Sequence, residues 1–143
     1  MKTVVEPSKS ANALLQMMSG RERAEFSELC ETVPLEVGAK LVLPGNALKH
    51  VYFPVSGYIS LLTADKVAAT LEVGIVGNEG MFGATLLLGV NASLVTALGQ
   101  GSGTALRISA AKFSHFVAHH ENAGTIFNRY LYYSIAQLSQ SAA

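Results

Sequence analysis

The stretch Val51-Tyr52-Phe53-Pro54-Val55-Ser56-Gly57-Tyr58-Ile59-Ser60-Leu61-Leu62-Thr63 decides the fold class. Its first three residues are aromatic or β-branched, and the run ends at Pro54, which has no N–H to donate to a ladder. Residues 57–63 then resume as an apolar, β-prone run. Two short strands about a Pro…Gly turn are predicted. The same punctuation extends in both directions. Between Gly38 and Gly103, glycines separate short apolar runs every several residues. Residues 40–43 end at Pro44-Gly45. Residues 66–76 form the longest run, with Val67, Leu71, Val73 and Ile75 partly alternating. Residues 94–98 and 104–108 supply two more strands. Residues 81–88, with a leucine run near a glycine, fit a short helix between strands. Leu41, Leu43, Val51, Phe53, Ile59, Leu61, Val73, Ile75, Phe82, Ile108 and Phe113 are the expected core.

The flanks read as helices. In residues 11–30, Leu14, Leu15, Met17 and Met18 form an apolar patch. Ser19 with Glu22 three residues on makes a capping box, and Phe26 and Leu29 carry the buried face that follows. Ser109 is a good N-cap for residues 110–119. In residues 122–140, Phe127, Leu131, Ser134 and Leu138 recur at helical spacing, with Ile135 on the same side. A 20-residue helix spans about 30 Å, longer than a small barrel covers. The stripe Phe127, Leu131, Ser134, Ile135 and Leu138 is therefore expected to face a partner helix in a homodimer. It runs into Ser141-Ala142-Ala143 without cap or breaker, as in a helix cut through.

Composition narrows the function. A length of 143 residues, 50% of them hydrophobic and 14% charged, predicts a single domain over residues 1–143 with one real core. Ten basic and ten acidic side chains cancel, so the basic excess of a free-standing nucleic-acid binder is missing. No apolar run is long enough for a membrane helix, and residues 1–10 lack the apolar stretch of a signal peptide, so a cytoplasmic protein is expected. Cys30 is the only cysteine, which excludes an internal disulfide and a cysteine-ligated cluster within this chain.

Candidate chemistry is sparse. Gly99-Gln100-Gly101-Ser102-Gly103 lacks the Lys-Ser/Thr of a Walker loop, and a hairpin turn explains it better. His115 and His119 lie four apart on a helix with His120 next. They read as solvent-facing histidines near a helix C-terminus rather than metal ligands. There is neither a GxSxG nor an HExxH segment, and no catalytic residue or metal ligand is expected. Gly77-Asn78-Glu79-Gly80-Met81-Phe82-Gly83-Ala84-Thr85 has the exposed amides and free backbone that suit an anion.

Taken together, these features resemble the cyclic-nucleotide-binding-like sensor domain of Crp/Fnr-family transcription regulators, over nearly the whole chain from about Leu14. Residues 35–45 resemble the family's first β pair, and Val51 to Gly57 its YF strand and turn. Gly80-Met81-Phe82-Gly83 resembles the start of its phosphate-binding cassette. Leu106 to Phe113 resembles the last barrel strand and the helix after it. The resemblance implies a mainly β fold with flanking helices: an eight-stranded jelly-roll β barrel and a C-terminal dimerisation helix. It implies a ligand-sensing regulatory domain of a homodimer that meets DNA through a helix-turn-helix absent from this chain. Candidate ligand-binding residues are Gly80, Phe82, Gly83, Ala84, Thr85, Ser93, Leu94 and Ser139.

The departures bear on the ligand. Cyclic-nucleotide binders of the family follow the FG pair with a ribose-holding Glu, where this chain has Ala84. They then place a phosphate-pairing Arg where this chain has Ser93 or a neighbour. No arginine lies between Arg23 and Arg107. A buried phosphate would lose a charge-assisted bidentate pair. The cassette is thus expected to be degenerate and not to bind standard cAMP, and the effector is unknown. The alternative is a working cAMP or cGMP sensor with an altered cassette. A cupin-like barrel enzyme ranks last, because His50 is the only histidine before Arg107.

Overall fold

The computed structural model describes residues 12–64 and 70–142, with side-chain environments for 12–63 and 72–137. The N-terminal segment 1–10, the strand start 66–69 and the side chains of Leu138 and Ser139 lie outside the described residues. Helices α1 (Ala13–Gln16) and α2 (Gly20–Glu28) come first. Strands β1 (Glu31–Leu35), β2 (Lys40–Val42), β3 (His50–Pro54), β4 (Tyr58–Ala64) and β5 (Thr70–Val76) follow. A 3₁₀ helix (Ala84–Leu88) precedes β6 (Thr96–Gln100) and β7 (Gly103–Ser109). Helices α3 (Ala110–His119) and α4 (Glu121–Ala142) close the order.

Both serines cap their helices, but the Glu22 carboxylate accepts from Asn122 Nδ2 at 2.9 Å, so of the capping box expected at Ser19 only the serine half forms. The Ser19 hydroxyl accepts from the Glu22 N–H at 3.2 Å, and that of Ser109 from the Lys112 N–H at 3.2 Å. The β6–β7 hairpin turns at Gly101 and Ser102, both at positive φ, as tight two-residue turns require. A Cβ on Gly103 would overlap the Ser56 carbonyl, so the backbone of the β3–β4 turn can lie directly against this hairpin.

Two antiparallel sheets form, in the orders β1-β7-β3 and β2-β6-β4-β5. The two sheets make a jelly-roll arrangement, with seven strands among the described residues where the resemblance implies eight. Isolated bridges Ala47↔Ala92 and Tyr52↔Phe82 tie in the connecting segments. Alternation along β3 divides the interior. Val51 and Phe53 point to the helices, where Phe26, Phe113, Phe116 and Phe127 pack against them. Tyr52 points to the inner side with Leu35, Ile59, Val76, Phe82 and Ala105.

Some expectations need correction. β1, which carries Pro34, is a strand that the residue reading above does not name. It sits at a sheet edge, where proline is tolerated. Val73 and Ile75 were expected in the core but are 41% and 54% exposed. β5 is an edge strand, and it is Val76 that faces inward opposite Ile59. In a period-2 element a shift of one residue reverses every side chain. Leu43 is 40% exposed because β2 ends at Val42. Leu41 and Leu61 are half-buried against the inner cluster. Phe127 was expected to face a partner, but it is fully buried among this chain's own phenylalanines and has no surface to offer one.

Candidate ligand-binding site

The cassette begins on a tight scaffold. Buried Asn12 donates through Nδ2 to the carbonyls of Pro54 and Gly80, both at 2.9 Å. Its Oδ1 accepts from the N–H groups of Leu14 and Leu15. One side chain thereby caps α1 and pins it to both the β3 end and the cassette start. Phe82 exchanges N–H···O bonds with Tyr52, each 2.9 Å. Gly83 has φ 112, in the left-handed region, and a Cβ there would press on Val51 and the His50 carbonyl. Both constraints favour glycine.

The candidate residues do not converge on one pocket. Gly80, Phe82 and Ala84 are buried, and Ala84 belongs to the helix-side core. Thr85 is exposed, and Leu94 is 85% exposed. Ser93 is buried, yet its hydroxyl donates to the Val95 carbonyl at 2.7 Å and accepts from the Val95 N–H at 3.2 Å. Its single donor proton is committed within its own loop. Where the family resemblance leads one to look for a carboxylate and an arginine, the cassette presents a methyl group and a self-bonded hydroxyl.

Helix α4 touches the cassette through Tyr130, whose ring lies so close to Gly80 that any Cβ would overlap the phenol. Burial pushes the Tyr130 pKa up, and the Ser134 hydroxyl donates to the Tyr130 backbone carbonyl at 2.9 Å. The stripe expected to face a partner splits accordingly. Phe127 is buried, Leu131 and Ser134 are half-buried, and Ile135 is exposed together with Tyr132 and Tyr133.

The histidines are engaged locally. The His120 ring stacks on Phe116 with centroids 3.7 Å apart, and its Nε2 lies 3.1 Å from a Glu25 oxygen. His115 and His119 stack at 4.2 Å. Among the described residues, no group of three or more His, Cys, Asp or Glu is placed to hold a metal. No described helix is long and apolar enough to cross a membrane.

Sequence reasoning passed over Arg107. Its Cα partner on β3 is Tyr52, so the two side chains leave the sheet on the same, inner side. The guanidinium donates to Glu31 Oε2 from Nε at 3.0 Å and from Nη2 at 2.6 Å. This hydrogen bonding raises the Arg107 pKa and, with the Arg107 charge, lowers that of Glu31. Beside the pair opens a cleft of about 790 Å³ between β2, the 45–49 loop and β3.

No family model and no curated protein matches the sequence. Solved structures do match in fold. A putative cAMP-binding regulatory protein from Silicibacter pomeroyi superposes with a TM-score of 0.72 at 15% identity, covering 95% of this chain and 66% of that one. The sensor domain of the transcriptional regulator DNR from Pseudomonas aeruginosa gives 0.71 at 14%, covering 92% and 87%. The N-terminal domain of a transcriptional regulator from Streptomyces coelicolor gives 0.69 at 15%, covering 92% of both chains. The fold is that of the cyclic-nucleotide-binding and sensor domains of Crp/Fnr-type transcriptional regulators.

Proposed function

We propose that this chain is the ligand-sensing domain of a Crp/Fnr-type regulator, with a cassette that does not hold a standard cyclic nucleotide. The observation that carries this reading is the state of Ala84 and Ser93. One is a methyl group in the core, and the other has its hydroxyl committed to Val95. Transferring the monoanionic phosphate from water into such a site, without a cation, loses its strongest contact. The output route runs through Tyr130, the α4 residue whose ring lies against Gly80 at the cassette start. A ligand that displaces residues 80–83 would shift α4 and bias a two-state dimer. The exposed Tyr132 and Ile135 are the dimer face, and DNA would be met through a helix-turn-helix outside this sequence. The barrel acts as a sensor and not as an enzyme.

Isothermal titration with cAMP and cGMP, backed by thermal shift, tests the cassette. The expected result is no saturable heat and no shift. A ligand at 100 times its dissociation constant would stabilise by about 2.7 kcal/mol. Saturable micromolar binding would overturn the degenerate-cassette reading in favour of an altered but working nucleotide site. For the dimer, Ile135→Glu is expected to halve the mass seen by light scattering. An unchanged dimer would exclude this face.

A further inference from the structure

The cations missing from the cassette gather beside it. Lys40 on β2, Lys49 in the loop before β3, His50 at the start of β3, and Arg107 on β7 all line the cleft of about 790 Å³, and no Asp or Glu lines it. Its apolar floor includes the buried side chains of Tyr52 and Phe82. Glu31 offsets Arg107 from the neighbouring strand, and among the described residues Lys40 and Lys49 form no ion pair. Such a concave wall carries excess positive charge over a partly apolar base, and its geometry focuses the field.

The cleft is built in advance. Its loop is clamped to the segment that follows the 3₁₀ helix: Gly45 N–H donates to the Ser93 carbonyl at 2.7 Å, Leu48 N–H to that of Asn91 at 2.7 Å, and Ser93 N–H to that of Asn46 at 2.9 Å. The lysines therefore stand on backbone held from two sides. His50 reports the local environment. Burial lowers its pKa first, and Arg107 and Lys49 lower it further against the opposing pull of Glu31.

We propose that this cleft binds a small molecule with at least two negative charges on phosphate or carboxylate groups. The anionic groups meet Lys40, Lys49 and Arg107, and the apolar part lies on Tyr52 and Phe82. A cyclic nucleotide, with one negative charge, does not match this charge pattern. The cleft shares Phe82 with the cassette candidates but is lined by neither Ala84 nor Ser93, and the inference holds whether or not the cassette takes a nucleotide. Because the loop is bonded to Ser93 and Phe82 is paired with Tyr52, an occupant would pull on both ends of the cassette.

The test is isothermal titration of the full chain with inorganic pyrophosphate and, separately, with citrate, at about 0.02 M and about 0.15 M salt. Saturable one-site binding of either is expected, weaker at the higher salt, and the stronger of the two identifies phosphate or carboxylate as the preferred group. Lys40→Ala/Lys49→Ala is expected to weaken binding at least about tenfold through the loss of two charge contacts, without changing ligand-free thermal unfolding. NMR titration of the His50 imidazole supplies a readout of location, and its pKa rises when the anion is bound. Binding by neither probe up to about 10 mM overturns the proposal. So does undiminished binding by the double variant, or a His50 pKa that does not move. Running cAMP in parallel separates the two sites, since tight cAMP binding unaffected by the lysine substitutions would count against the cassette reading alone.

Discussion

Substitution of Phe127 separates the intrachain core from the dimer face. The ring is fully buried. Its centroid lies 5.4 Å from Phe113 and 5.7 Å from each of Phe26 and Phe53. It therefore joins one residue from each of α2, β3 and α3 to α4. Phe→Ala at such a site costs about 3–5 kcal/mol in lost transfer energy and cavity. That is a large share of the roughly 5–15 kcal/mol that holds a domain folded. Phe127→Leu keeps most of the volume and is expected to cost about 1–2 kcal/mol, so the series stays measurable if the alanine variant unfolds. The assay is urea unfolding followed by circular dichroism, with the mass of the folded protein measured by light scattering. The expected result is a graded loss of stability with the oligomeric mass of the leucine variant unchanged. Near-native stability with a halved mass would refute the assignment and return Phe127 to the subunit interface.

Three further outcomes follow from single groups. Asn12→Ala leaves the Pro54 and Gly80 carbonyls without their donor and should destabilise the fold by about 2–4 kcal/mol in the same urea assay; a loss below about 0.5 kcal/mol would mean that water replaces the amide without cost. Burial pushes the Cys30 thiol up to about 12, so a thiol reagent at pH 8 should label the half-buried native thiol far more slowly than the unfolded chain; equal rates for the two would contradict that shift. Glu31, held below the ordinary carboxylate range by the Arg107 hydrogen bond and charge, contributes stability above that range, and the contribution is lost as pH falls through the lowered value. Glu31→Gln should therefore narrow the gap in melting temperature between pH 7 and about pH 3, and an unaltered gap would show that the pair has no net effect.

Local chemistry accounts for what was legible. The caps at Ser19 and Ser109, the turn at Gly101-Ser102 and the alternation around Val51 to Phe53 depend on residues within a few positions of one another. The glycine demanded at Gly83 is local too, since its φ of 112 lies in the left-handed region. Predicted side-chain directions held where both faces are covered, as for β3, and reversed in β5. An edge strand gives its exposed face no partner that would exclude Val73 and Ile75 from solvent. β1 carries Pro34, which a sheet tolerates at an edge position that only the tertiary structure assigns.

By itself, the sequence determined the helix caps, the tight turns and the short apolar runs of the strands, because these are matters of residue type at short range, and the class of the fold followed from its resemblance to a known family. Tertiary structure alone decided that Ser93 bonds its own loop, that Phe127 belongs to this chain's core, and that Lys40, Lys49, His50 and Arg107 surround one cleft. The physical reason is separation along the chain. Arg107 meets Tyr52 and Glu31 only because β7 lies between β3 and β1, and no local periodicity encodes which strands become neighbours or which of two faces an edge strand turns inward.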